Sequence, residues 1–245
     1  MADIDGVKTP DANLQQHYFT RTRTPWVMFL ALLPLIVLVE LGFALSPDAD
    51  AAGVLARIQL QDFLRFFTLA PIVVVHALGA LVGLVLIIQH LLEQGSWRVR
   101  VWDVPLLWLE GCIAAVPLLV LGAAVLPDTT PLVAGTPWAP VSLFEAVLIG
   151  ATAALSEELI FRMGGMSLVH WLFVDVCKGK AAHGSVLAVV VTAVAFMLYH
   201  DPGAMSAQAA SFILLSGLYL GTLFVQRGFA CAVLAHCAYD VIALS

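Results

Sequence analysis

Apolar residues fall along this chain in long blocks separated by short polar stretches, and blocks of this length predict membrane-spanning helices. The first runs over Pro25–Leu45 and ends at an acidic turn, Ser46–Asp50. Ala51–Thr68 spaces Arg57, Asp62 and Arg65 among apolar positions, the pattern of an amphipathic helix lying in the interface. Pro71–Leu92 and Val104–Leu126 predict the second and third spans, joined by a loop carrying Arg98 and Arg100. A proline- and threonine-rich loop, Pro127–Pro140, leads to a fourth helix from Val141 to about Met163, where Gly164–Gly165 loosens the backbone. Met166–Cys177 reads as a short further helix before the basic loop Lys178–Lys180. Ser185–His200, Ser206–Val225 and Phe229–Leu244 complete the set, and small residues in the second of these allow close helix contact.

The expected fold class is therefore all-α: a polytopic transmembrane helix bundle of seven or eight spans. It divides into a polar N-terminal tail over residues 1–24, N-terminal spans with an interfacial helix over 25–140, and a helical core over 141–245. The tail reads as flexible or surface-lying. With 61% hydrophobic and 11% charged residues among 245, a soluble domain is excluded. The net charge of −6 is spread out, and no basic patch points to nucleic acid. Cys112, Cys177, Cys231 and Cys237 form no C-x-x-C pair and read as packing residues. With seven spans, Lys8, Arg21, Arg23, Arg98, Arg100, Lys178, Lys180 and Arg227 fall on one side of the membrane, which marks that side and the N-terminus as cytoplasmic.

Charge inside the apolar blocks changes the picture. Glu157, Glu158 and Arg162 stand near the end of the fourth helix. A carboxylate at membrane depth costs about 2.5–3.5 kcal/mol, so it is expected to have a partner or a function. Glu158 and Arg162 share a helix face and read as a structural ion pair. Glu157 is rotated by about 100° from Glu158 and needs other partners. Glu40 reads as a headgroup-level carboxylate, and His76 and His90 as hydrogen-bonded packing residues. Two further motifs lie in apolar helices: Phe196 with His200, and His236 with Asp240, each pair four residues apart. Gathered at one place, these groups would form an intramembrane polar site. Simple alternation of spans, however, puts Glu157 and His200 at different depths, so the helices are expected to be offset or broken.

The order E-E-x-x-x-R, F-x-x-x-H, H-x-x-x-D resembles the signature of the CPBP intramembrane proteases. These include type II CaaX prenyl endopeptidases and bacteriocin-processing and self-immunity proteins. The resemblance covers about Val141–Leu244 and extends to Leu218–Gly221. It implies a glutamate- and histidine-dependent endopeptidase acting on a peptide or protein substrate in or near the bilayer. Glu157 and His200 would activate a water, and His236 and Asp240 would stabilise the oxyanion. Glu158, Arg162 and Phe196 would brace the site. The family commonly has asparagine where Asp240 stands, and a carboxylate cannot donate to an oxyanion. Asp240 would then orient His236, or be protonated, or bind a metal. No cofactor is favoured; zinc held by Glu157, His200, His236 and Asp240 is the alternative. A leader, sorting or C-terminal signal would serve as substrate, in a prokaryotic cytoplasmic membrane. The competing function is a non-catalytic immunity or scaffold protein that uses the same cavity for binding. A proton-coupled transporter ranks lower, because no pair of broken helices recurs in repeated halves.

Overall fold

A computed structural model describes residues 17–45, 77–126, 142–200, 203 and 205–245. The expected interfacial helix, most of the tail, the start of the second span with His76, and the Pro127–Pro140 loop lie outside the described residues. Among the described residues every regular element is helical: α1 (Tyr18–Arg21), α2 (Pro25–Leu45), α3 (Ala77–Leu92), α4 (Asp103–Ala114), α5 (Val116–Val125) and α6 (Leu143–Glu158). After α6, two wide π segments, Leu159–Met166 and Leu172–Val176, flank α7 (Ser167–Trp171). The last elements are α8 (Ala181–Tyr199), α9 (Ala207–Arg227) and α10 (Phe229–Leu244). The described residues make seven helical passes. The windows Pro25–Gly42, Asp103–Val125, Ala181–Tyr199 and Ala207–Arg227 are long and apolar enough to cross a membrane, and the shorter Leu78–Leu92 and Phe229–Leu244 are apolar throughout. This is an integral membrane helix bundle.

α10 forms the centre. Its residues from Phe229 to Cys237 are all buried, apolar around the whole circumference except at His236, as expected of a helix enclosed by others. Glycines on its neighbours allow the approach: a side chain at Gly111 would collide with Leu234, and one at Gly150 would stand 3.0 Å from the Asp240 Cβ. Leu32, Leu86, Leu107, Leu155 and Val233 form the main apolar core between α2, α3, α4, α6 and α10. The turn into α10 rests on Gly228 at φ +87°, a conformation that L side chains rarely adopt.

The third span is not one helix. It breaks at Ala115 between α4 and α5, and Pro117 is the cause, since it has no N–H for the carbonyl one turn back. The fourth does not stop at Met163. It stays helical through Gly164–Gly165 to Val176 by widening its turns. α8 then runs back over 19 residues, about the length just travelled beyond Glu157, and returns His200 to the level of Glu157. This removes the difference in depth that simple alternation implied.

The last part of the expected tail is docked, not free. Arg21 makes a two-pronged ion pair with Asp103, at 3.0 and 2.7 Å, with both side chains buried. Tyr18 donates to Glu110 at 2.8 Å, and burial and that carboxylate push its pKa upward. Arg227, at the end of α9, pairs with Glu110 and reaches the Thr22 hydroxyl at 3.0 Å. Trp26 donates to the Trp97 carbonyl at 2.9 Å. His90 packs against the Trp97 ring at 4.2 Å, but neither of its nitrogens has a hydrogen-bond partner among the described residues, unlike the expectation. Antiparallel packing of Val189 on Gly221 and Ala193 on Gly217 sets the start of α8 beside the end of α9. Arg21, Arg23, Arg98, Arg100, Lys178, Lys180 and Arg227 thus share one end of the bundle.

Candidate active site

α6 begins with a reciprocal cap: the Ser142 hydroxyl accepts from the Glu145 amide, and the Glu145 carboxylate accepts from the Ser142 amide. Its buried hydroxyls make no demand on neighbours. Thr152 donates to the Leu148 carbonyl at 2.7 Å, and Ser156 to the Thr152 carbonyl at 2.6 Å. The polar groups that look outward from its end are the two glutamates.

Glu158 is fully buried and committed. One oxygen lies 3.0 Å from His236 Nδ1, the other 3.1 Å from Arg162 Nε. An ionised carboxylate only accepts, so Nδ1 of His236 carries the hydrogen and donates it. Arg162 is also fully buried. Its nitrogens find no well-aligned acceptor among the described residues, so charge and the Phe196 ring, 5.2 Å beneath the guanidinium, hold it.

Glu157, 6% exposed, faces the other way. Its Oε1 lies 3.9 Å from His200 Nε2, and its Oε2 lies 3.7 Å from His236 Nε2. His200 is set by its own backbone: Nδ1 lies 2.8 Å from the Phe196 carbonyl, so Nδ1 donates and Nε2 of the neutral ring is an acceptor turned to Glu157. Asp240 Oδ2 stands 3.5 Å from His236 Nε2. The Phe196 ring walls the group, with centroids 4.7 Å from His200 and 6.2 Å from His236. The structure brings together Glu157, Glu158, Arg162, Phe196, His200, His236 and Asp240. His200 and Asp240 are its most exposed members, and both lie near the ends of helices that start at the cationic end. The site therefore opens toward the opposite end of the bundle.

One link has no counterpart in the sequence reading, which gave the orientation of His236 to Asp240. Glu158 holds Nδ1, while Asp240 sits on the Nε2 side. The two residues of the first link are 78 positions apart, and the only hint in the sequence is that a buried histidine needs an acceptor. For a metal, the donor types Glu157, His200, His236 and Asp240 suit zinc. Among the described residues, however, no group of three or more His, Cys, Asp or Glu converges as a metal site would require.

Residues 138–242 match the family model described as Type II CAAX prenyl endopeptidase Rce1-like. The matched stretch contains all three motifs and bears out the family resemblance drawn from them. No curated protein and no solved structure matches the chain. The family match supports a membrane endopeptidase of the CAAX type with a membrane-associated protein substrate.

Proposed function

We propose that the protein is a glutamate-dependent intramembrane endopeptidase. The observation that carries this reading is the division of labour between adjacent glutamates. Glu158 is occupied by Arg162 and His236, whereas Glu157 faces two histidine nitrogens and, among the described residues, pairs with no arginine or lysine. The 3.9 Å gap between Glu157 and His200 suits one water about 2.8 Å from each acceptor. Such a water would give one hydrogen to Glu157 and the other to His200 Nε2.

In the reaction, Glu157 takes a proton as the water oxygen attacks the scissile carbonyl carbon. The carbonyl electron pair moves onto oxygen. On collapse the C–N bond breaks, and the proton held by Glu157 passes to the leaving amine. His236, in its imidazolium form, presents an Nε2–H to the oxyanion. Asp240, beside that nitrogen, supports the charge, and Glu158 fixes the ring. No step calls for a metal.

The substrate carries a leader, sorting or C-terminal signal near the bilayer. The compact size and the family resemblance favour a prokaryotic cytoplasmic membrane, and the distribution of the cations favours the N-terminus inside. The test compares protein termini in membrane and secreted fractions of host cells carrying wild type or Glu157→Gln at matched expression. Termini that appear only with wild type support the endopeptidase. If the termini match, and Glu157→Gln still rescues the phenotype of a null strain, the protein is a binding scaffold instead.

A further inference from the structure

The proposed reaction needs hydrogen-bond donors at the oxyanion, and the residues around Glu157 are mostly acceptors. Glu157 and Asp240 are carboxylates. His200 spends its Nδ1 hydrogen on the Phe196 carbonyl, which leaves Nε2 of the neutral ring as a lone pair. His236 gives its Nδ1 hydrogen to Glu158, so Nε2 carries a hydrogen only in the imidazolium. The imidazolium Nε2–H is thus the one donor these four residues offer a developing oxyanion, and Asp240 beside it adds none.

One donor beside them has no task. Tyr199 precedes His200 and lies against it, ring centroids 5.3 Å apart. The ring also makes an edge contact with Phe161, again at 5.3 Å, and Phe161 follows Glu157 by four residues. The Tyr199 hydroxyl is buried and has no hydrogen-bond partner among the described residues. A buried hydroxyl without an acceptor is unfavourable, so its retention next to a hydrolytic site points to an acceptor that arrives with the substrate. The unpartnered nitrogens of Arg162 do not compete for this role. They have no exposed surface and lie behind Phe196, bound by charge to Glu158. The unpartnered nitrogens of His90 lie at the cationic end, against Trp97.

We infer that Tyr199 is a catalytic residue, the neutral hydrogen-bond donor to the oxyanion. It supplies the donor that a carboxylate at position 240 cannot give. The inference rests on the endopeptidase reading. As the water oxygen bonds to carbon and the carbonyl electron pair moves onto oxygen, the phenol O–H donates to that oxygen and keeps its proton. When the tetrahedral species collapses, the carbonyl re-forms and the amine leaves with the proton from Glu157. The phenol ends unchanged.

The test begins with the cut site found from wild-type-dependent termini. A synthetic peptide spanning that site is the probe, with purified full-length protein in lipid nanodiscs. Tyr199→Phe keeps the ring and removes the donor. Loss of one oxyanion donor lowers kcat about 100-fold, with KM little changed. Asp240→Asn in the Tyr199→Phe background restores at least about tenfold of that loss, because an amide can donate. A merely packing tyrosine would give no such rescue, since Asp240→Asn would then change the rate by the same factor with Tyr199 or Phe at position 199. If Tyr199→Phe cleaves within about threefold of wild type, or Asp240→Asn rescues nothing in that background, the donor role is wrong while the endopeptidase reading stands. If no terminus depends on wild type, both fall together.

Discussion

Removing the charge of Glu158 while keeping its shape strands Arg162. The arginine is fully buried; among the described residues its ionic partner is Glu158 at 3.1 Å, and the Phe196 ring lies beneath it. Breaking a buried pair from one side costs about 3–5 kcal/mol, because the surviving charge is left without compensation. Glu158→Gln is therefore expected to raise the unfolding equilibrium constant by a factor of more than about 100. Arg162→Met removes the other charge and fills similar volume. It leaves Glu158 with the His236 hydrogen at 3.0 Å, so it costs less, about 1–3 kcal/mol. The double variant Glu158→Gln/Arg162→Met carries no stranded charge and should be more stable than Glu158→Gln alone.

The assay is reversible SDS-driven unfolding in mixed micelles, followed by the fluorescence of the six tryptophans. Wild type, both single variants and the double variant close a cycle whose coupling should reach about 2 kcal/mol or more. Additivity to within about 0.5 kcal/mol would refute the reasoning, since it would mean that water or another group compensates Arg162 when Glu158 is neutral. A second readout separates structure from chemistry. Glu158→Gln also deprives His236 of a charged acceptor, so cleavage should fall further than stability accounts for.

Three further outcomes follow from the same geometry. Gly217→Val should cost about 1–3 kcal/mol in the SDS titration, because its first atom would sit 3.1 Å from the Ala193 Cα in α8; wild-type stability would mean that α8 and α9 are not in that contact. A strong chelator should leave the peptide cleavage rate within about twofold, whereas loss reversed by added zinc would replace the water mechanism with a metal one. A C-terminal reporter active only outside the cytoplasm should be active on Ser245, since the described residues make seven passes and the cations lie at the end where α2 starts; an inactive reporter overturns that orientation.

What the sequence discloses follows the range of each interaction. The Glu158–Arg162 pair is legible because four residues make one helical turn, and the pair is found at 3.1 Å. Glu157 stands out by elimination on the same helix. The spans are legible from hydropathy, since a bilayer demands apolar length. Contacts between passes leave no such trace. Tyr18 and Glu110 are 92 positions apart, Arg21 and Asp103 82 apart, so a docked segment reads as a polar tail. The break at Ala115 could have been suspected from Pro117, but prolines also sit inside unbroken helices here, as Pro34 does in α2. Tyr199 is hidden for another reason. A tyrosine beside a histidine in an apolar block is ordinary, and only coordinates reveal that its hydroxyl has no acceptor.

The misjudged end of the fourth helix shows how the solvent changes the meaning of a residue pair. In a water-exposed chain Gly164–Gly165 is a fair stop signal, because water takes over the freed backbone groups. Within a bilayer no water does so, and each unpaired group costs several kcal/mol. The chain can relieve local crowding there and keep its groups paired by widening the turn, and the π segment Leu159–Met166 does this. Gly165 also lets α8 come close, since a side chain there would stand 3.2 Å from Thr192. The consequence reaches the site. Ending the helix at Met163 would shorten the outward leg by 13 residues, or about 20 Å, while α8 keeps its 19. His200 would then overshoot Glu157 by a large part of the bilayer thickness. The helical stretch from Leu159 to Val176 is thus what brings the second motif level with the first, and its role lies in its length.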